Sequence, residues 1–86
     1  MILAIDMKSR QTIASFYIQQ NDAYRYLKTT QLTGYVTVGD STDYRSNQFC
    51  SRVSDTGFYT CSKPLQGRYL AYFIEQSVPN LDLVVL

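Results

Sequence analysis

The 86 residues of this chain are predicted to fold as antiparallel β-structure throughout. Apolar residues recur with a period close to two along almost the whole chain, which is typical of strands that bury one face. The composition agrees, because eight Tyr, four Phe and eight Thr favour strands, whereas one Glu and three Lys leave few good helix formers. Turn signals separate the periodic segments at intervals of about 8–12 residues, which favours a sandwich or barrel over alternating strands and helices.

Seven segments are predicted as strands on this basis. They are residues 2–7, 12–19, 35–38, 48–53, 58–62, 67–75 and 81–86. In the first strand, Leu3, Ile5 and Met7 share one face. In the second strand, one face carries Ala14, Phe16 and Ile18 and the other carries Ile13, Ser15 and Tyr17, so both faces are expected to be partly covered. Asp55-Thr56-Gly57 joins the fourth and fifth strands, which we therefore expect to form a hairpin with Gly57 at a positive φ.

The chain is short for a free-standing β-domain, because a chain of this length buries only about 60–65% of its unfolded surface. Both terminal segments are apolar strands, and an exposed apolar edge invites aggregation. We therefore expect residues 1–86 to be a single but incomplete segment of a larger domain, or a domain that a neighbouring chain completes.

Composition excludes several classes of function. Eight Lys and Arg against seven Asp and Glu give a net charge of +1, so no basic field is present to bind nucleic acid. No apolar run approaches the roughly 20 residues of a membrane span. The absence of histidine excludes a Ser-His-Asp triad and a His-ligated zinc site within this chain. We expect the protein not to be an enzyme and to hold no metal or cofactor through this segment.

Cys50 and Cys61 lie on the two strands of the predicted hairpin, at a spacing that could bring their Cα atoms within disulfide range. A disulfide is the favoured prediction, and it implies an extracellular or cell-surface location. Two buried free thiols remain the alternative, whereas a redox switch or half of a metal site has less support. Asp40 and Asp43 lie in a turn beside Gly, Ser and Thr, where carboxylates usually bind their own backbone, so we expect a structural role instead of acid–base chemistry or calcium binding.

The segment after the second strand concentrates amides, a carboxylate, tyrosines and cations. Planar polar groups beside an aromatic face are what recognition of a sugar requires. The candidate ligand-binding residues are therefore Gln20, Asp22, Tyr24, Arg25 and Lys28. The alternative interpretation is a solvated polar loop in which Tyr24 or Tyr26 closes one end of the sandwich.

Three short motifs follow one another along the chain: Leu32-x-Gly34-Tyr35 with Val38-Gly39-Asp40, the pair Cys50 and Cys61, and Pro64-Leu65-x-Gly67-Arg68-Tyr69. In this order they resemble the galactose-binding-like jelly-roll domains, most closely the fucolectin-type (F-type lectin) branch. The resemblance implies a jelly-roll β-sandwich, a Cys50–Cys61 disulfide, binding of a fucose- or galactose-like glycan, and calcium ligands that lie outside this segment.

The family's sugar loop has an Arg-x-Asp pattern followed by a second cation. Asp22 matches this pattern, Gln20 replaces the first arginine, and Lys28 lies one position beyond the second cation. The resemblance thus predicts a non-catalytic, extracellular carbohydrate-binding module. The alternative is a structural or adhesion module that has lost the sugar site and packs against neighbouring domains, as a homo-oligomer or in a multi-domain assembly.

Overall fold

The computed structural model of the protein describes residues 1–20, 33–75 and 81–85. These residues form five strands: β1 (Ile2–Gln20), β2 (Gly34–Gly39), β3 (Gln48–Val53), β4 (Gly57–Ile74) and β5 (Leu81–Val85). A short 3-10 helix, Tyr44–Ser46, lies between β2 and β3. Every strand pairing is antiparallel, and the strands form one sheet in the order β3-β2-β4-β1-β5. The predicted all-β antiparallel class is therefore confirmed.

Two of the predicted strand boundaries are wrong, because β1 and β4 are long, continuous strands. The predicted strands at 2–7 and 12–19 are both part of β1, and those at 58–62 and 67–75 are both part of β4. The polar residues that indicated a turn instead form a bulge, in which residues 7–10 of β1 lie opposite Arg68 alone. Lys8 has a φ of 67° there, and its N–H donates to the Asp6 carboxylate at 2.8 Å, which stabilises this uncommon conformation.

The described strands fold back on one another to give a sandwich-like arrangement, but a jelly-roll topology is not confirmed. β2 pairs with the C-terminal part of β4, whereas β5 pairs with the C-terminal part of β1. Buried residues of β1, β2, β3 and β4 form one core. They are Ile13, Phe16, Ile18, Val36, Val38, Cys50, Val53, Cys61, Leu65, Leu70, Tyr72 and Ile74. Burial raises the pKa of Tyr72 to about 12, and the neighbouring Tyr59 and Asp55 add to the shift.

The disulfide between Cys50 and Cys61 is confirmed, with the two Cα atoms 4.4 Å apart. The hairpin predicted to hold it is wrong, because β3 pairs with β2 and the N-terminal part of β4 pairs with β1. Each cysteine lies at an irregularity of its strand, Cys50 between the residues that pair with Val36 and Thr37, and Cys61 in the stretch opposite Ala14. The bridge thus joins two strands that are not hydrogen-bonded neighbours.

The turn between β3 and β4 is held by one tyrosine hydroxyl. Tyr59 accepts hydrogen bonds from the N–H groups of Ser54 and Asp55, at 3.2 and 3.1 Å, and donates to the Asp55 carbonyl at 2.6 Å. These three bonds match the donor and acceptor capacity of a hydroxyl. Gly57 follows with a φ of 142°, which confirms its predicted positive φ. The turn therefore reverses the chain without making a two-stranded ladder.

The alternation in the second predicted strand is interrupted. Phe16 and Ile18 are buried, Ile13 of the other predicted face is buried with them, and Ala14 is exposed. The pairing with β4 is irregular between Ile13 and Ser15, and this irregularity moves the alternation by one residue. Burying the larger Ile13 in place of Ala14 removes more apolar surface from water.

No helix in the described part of the chain is long and apolar enough to cross a membrane.

Candidate functional site

The residues predicted to bind a ligand fall almost entirely outside the described structure. Gln20 ends β1, where its backbone pairs with Leu81 of β5. The side chain of Gln20 and the whole of Asp22, Tyr24, Arg25 and Lys28 lie outside the described residues. Their assignment as a sugar-binding loop therefore stays a prediction.

A different cleft, lined by charged, polar and aromatic side chains, lies on the sheet face that points away from the core. Strand register places four residues in one row across four strands: Arg52 of β3, Tyr35 of β2, Phe73 of β4 and Ile2 of β1. Directly opposed side chains on one face of a sheet lie about 4.5–5.5 Å apart at Cβ. The row thus brings together residues that are up to 71 positions apart, from Ile2 to Phe73.

The aromatic side chains of the row are stacked. The Tyr35 and Phe73 rings are 4.8 Å apart at 19°, and Phe49 continues the stack at 6.3 Å from Tyr35. Phe73 is buried, whereas Phe49 is 54% exposed, so the stack presents an open aromatic face at the β3 edge. Such a face can pack against the apolar side of a ring in a ligand.

The side chain of Arg45 covers part of the row. Its guanidinium lies 4.8 Å over the Phe73 ring, and Nη1 donates to the Tyr35 hydroxyl at 3.3 Å. A cation over an aromatic face is held by the ring quadrupole as well as by this hydrogen bond. These two contacts hold the guanidinium over the row.

The β2–β3 loop that carries Arg45 is itself braced against the sheet. The buried Thr37 hydroxyl donates to the Tyr44 carbonyl at 3.0 Å, and the Tyr44 ring packs on Tyr69 at 5.8 Å. The Asn47 side chain donates to the Ser41 carbonyl at 3.0 Å and accepts from the Ser41 N–H at 3.1 Å. These contacts cross-brace the loop and hold Arg45 over the sheet.

The cleft between these residues measures about 220 Å³. Its lining consists of Met1, Ile2, Thr33, Gly34, Tyr35, Arg45, Arg52, Phe73, Ile74 and Glu75. It therefore combines two guanidinium groups, one carboxylate and a phenol hydroxyl with aromatic carbon. Cations, a carboxylate and aromatic carbon are thus brought together at a place other than the predicted loop.

Sequence reasoning missed this cleft because no local motif encodes it. Arg45 comes from the 3-10 helix, Arg52 from an edge strand, and Glu75 from the residue after the end of β4. The one local signal is the alternation of the strands, which puts Phe73 on the face opposite Tyr72 without showing which face points outward. Only the pairing register shows which aromatic residues are neighbours.

A second polar cluster lies at the bulge of β1. Arg68 binds both oxygens of Asp6, with Nε at 2.7 Å and Nη2 at 2.9 Å. Asp40 accepts from the Arg68 N–H and from Arg10 Nε, both at 3.1 Å. The expectation that Asp40 binds its own turn is therefore wrong, because its carboxylate ties the end of β2 to β1 and β4. Within the described ranges, no group of three or more Cys, Asp or Glu is placed to hold a metal ion.

The Asp6 contacts give an expected pH dependence. The Arg68 guanidinium, and then the Lys8 N–H, hold the pKa of the Asp6 carboxyl well below its usual range. The folded state thus binds fewer protons than the unfolded state at low pH, so the contribution of Asp6 to stability is complete above about pH 4 and falls as pH drops below it. We expect Asp6→Asn to lower the melting temperature by a constant amount between pH 5 and 7, with the difference from wild type shrinking from about pH 4 downwards.

The control is Asp43→Asn, at an exposed turn residue outside this ion-pair network. Melting curves followed by circular dichroism at pH 2–7 measure both differences. A difference between wild type and Asp6→Asn that stays constant down to pH 2, or that Asp43→Asn reproduces, would contradict the assignment.

No protein-family model matches the chain, and no curated protein is significantly similar to it. The resemblance to fucolectin-type domains thus rests on the three short sequence motifs and stays a prediction.

Proposed function

We propose that this protein is a non-catalytic carbohydrate-recognition module of the fucolectin-like kind, and that the cleft between Tyr35, Arg45, Arg52 and Glu75 is a sugar site. The observation that carries the proposal is the aromatic row with a fixed guanidinium over it. A pyranose has an apolar face and a rim of hydroxyl groups. The cleft offers aromatic carbon for the first and charged hydrogen-bonding groups for the second.

Each side chain of the cleft has a distinct part in this proposal. Arg45 uses one N–H on Tyr35, and a guanidinium has five, so donors remain for ligand oxygens. Arg52 can hold two adjacent oxygens through its planar fork, and the Glu75 carboxylate can accept from a hydroxyl. Because two cations face one carboxylate, we expect a sulfated galactose to bind more tightly than galactose itself.

The disulfide supports a location outside the cytosol, because such bonds persist in oxidising compartments. Calcium enters the proposal only through the fucolectin resemblance, by way of ligands outside this segment. The proposed partner is therefore a fucose- or galactose-like glycan at a cell surface or in the extracellular space.

A glycan array followed by calorimetry on the strongest ligand tests the proposal. A hydrogen bond to a charged group contributes about 1.5–3 kcal/mol, so Arg52→Ala should weaken binding roughly 10- to 100-fold. Arg52→Lys keeps the charge but loses the fork, and it should bind with intermediate affinity. Arg10→Ala, which removes an exposed cation that pairs with Asp40 at the bulge of β1, should bind as wild type.

The same experiment separates the two candidate sites. If Asp22→Ala abolishes binding while Arg52→Ala leaves it unchanged, the sugar site is the loop that the sequence predicted and not the cleft. Absence of binding to any glycan would overturn the proposal as a whole.

The alternative, a structural or adhesion module, is favoured by a different surface. Val84, Tyr17 and Phe58 are cross-strand neighbours on β5, β1 and β4, and they are 37%, 39% and 58% exposed. A contiguous exposed apolar row is a common feature of protein contacts. Sedimentation that shows assembly, lost on Tyr17→Ser, in a protein that binds no glycan would favour this alternative.

A further inference from the structure

A groove separate from the cleft lies between β3 and the middle of β4, next to the bulge of β1. β3 pairs with β2, whereas the part of β4 before Arg68 pairs with β1, so in the described sheet no backbone ladder closes the space between them. The groove lies away from the ends of β1 and β4, at which the undescribed residues begin. It measures about 480 Å³, and its walls include Arg10, Asp40, Gln48, Lys63, Leu65 and Gln66.

The floor and one end of the groove are built from buried residues and backbone. Val38 and Leu65 line the groove and belong to the buried core. Gly39 and Gly67 bring β2 and β4 into close contact beside it, since a Cβ on Gly67 would lie 2.5 Å from the Gly39 backbone. The Asn47 amide, which is part of the wall, is held by two hydrogen bonds to the backbone of its own loop. The shape of the groove is thus set by packing within the fold.

The rim of the groove offers more hydrogen-bond donors than acceptors. Both oxygens of the Asp40 carboxylate are occupied, because Oδ1 accepts from the Arg68 N–H and Oδ2 accepts from Arg10 Nε, each at 3.1 Å. The Arg10 guanidinium has four further N–H groups. The three N–H groups of the Lys63 ammonium have no carboxylate partner among the residues that the structure describes. Two cations and one paired carboxylate therefore leave the groove with an excess of positive charge.

We propose that this groove binds an oxyanion of the sulfate or phosphate type through Lys63 and Arg10. Such an anion accepts hydrogen bonds and donates few or none, so it matches donors that have no partner, and charge-assisted bonds of this kind are the strong ones. The exposed amides of Gln48 on β3 and Gln66 on β4 offer further donors from the two walls. Donors on separate walls suit the tetrahedral arrangement of sulfate or phosphate oxygens better than the single plane of a carboxylate.

A titration followed by amide NMR tests the proposal, with sodium sulfate as the probe. Sodium chloride at the same ionic strength is the reference, because salt alone screens surface charges. Sulfate should shift the Gln66 amide in a saturable way, with a dissociation constant of about 1–10 mM, and chloride should not. Inorganic phosphate in the same titration distinguishes the two sources of the group, since the ion that binds more tightly identifies the kind of ligand. Equal responses to sulfate, phosphate and chloride would overturn the proposal.

Substitutions of matched charge test the location, with the shift of the Gln66 amide as the measurement. Lys63→Gln removes one donor group and one positive charge, and it should weaken sulfate binding about fivefold or more. Lys63→Arg keeps the charge and should bind within about twofold of wild type. Arg52→Gln is the matched control, because it removes the same charge from the cleft, outside the groove, and it should bind as wild type. Equal weakening by Lys63→Gln and Arg52→Gln would show a response to net charge alone and would overturn the site.

The inference is independent of the proposed sugar site. Galactose carries no charge, so it should leave the Gln66 amide unshifted whether or not it binds in the cleft. A shift of Gln66 by galactose equal to that by sulfate would overturn the assignment of an anion site. Lys63 is exposed, so both of its variants should fold, and their circular dichroism spectra check this.

Discussion

Replacing Phe16 with alanine is expected to lower the free energy of unfolding by about 3–5 kcal/mol. Phe16 is fully buried, and its ring stacks on Tyr59 at 5.5 Å and 17°. The substitution removes this apolar contact and leaves a cavity that the surrounding strands can fill only in part. Urea denaturation followed by tyrosine fluorescence and circular dichroism measures the change.

Phe58→Ala is the matched control. Phe58 lies on β4, one position before Tyr59, but its side chain is on the opposite face and is 58% exposed. Surface substitutions of this kind usually change stability by less than about 0.5 kcal/mol. If the two variants lost equal stability, the assignment of inward and outward faces along β1 and β4 would be wrong.

Removing the disulfide through Cys50→Ala with Cys61→Ala is expected to lower the free energy of unfolding by about 3 kcal/mol. The bond closes a short loop, since the cysteines are 11 positions apart, and it restricts the unfolded chain. For a domain of this size the loss corresponds to a fall in melting temperature of roughly 12–24 °C. The free energy of unfolding of small domains is about 5–15 kcal/mol, so the disulfide contributes a large share of the total stability.

The position of the bridge adds a structural consequence. β3 and the N-terminal part of β4 share no ladder hydrogen bonds, so the disulfide is a direct covalent link between two parts of the folded sheet. Without it, amide exchange should rise more in β3 than in the β1–β4 ladder. A reducing agent should destabilise the wild type but leave the double variant unchanged. A similar effect of reductant on both proteins would contradict this explanation.

Local patterns in the sequence were sufficient to predict several features of the structure. The strand periodicity predicted the all-β class. The spacing of Cys50 and Cys61 favoured their disulfide, although free thiols fitted the same spacing. The position of Gly57 in a turn predicted its positive φ, because glycine adopts that conformation at no steric cost.

The alternation around Ala14 shows a feature that local patterns could not predict, namely which residue is buried. Either Ala14 or Ile13 fits an alternating strand, and the choice depends on an irregular pairing with β4. The polar residues around Lys8 are equally compatible with a turn between two strands or a bulge within one. Contacts with β4, including those of Arg68 and Asp6, select the bulge.

The sequence by itself determined that this chain forms strands and where most of them lie, because these properties depend on neighbouring residues and their period. Only the tertiary structure decided which strands are neighbours, and hence that Tyr35, Arg45, Arg52 and Glu75 share a cleft. Strand neighbours depend on register and on bends at bulges, and both are decided by packing between residues that are far apart in the chain.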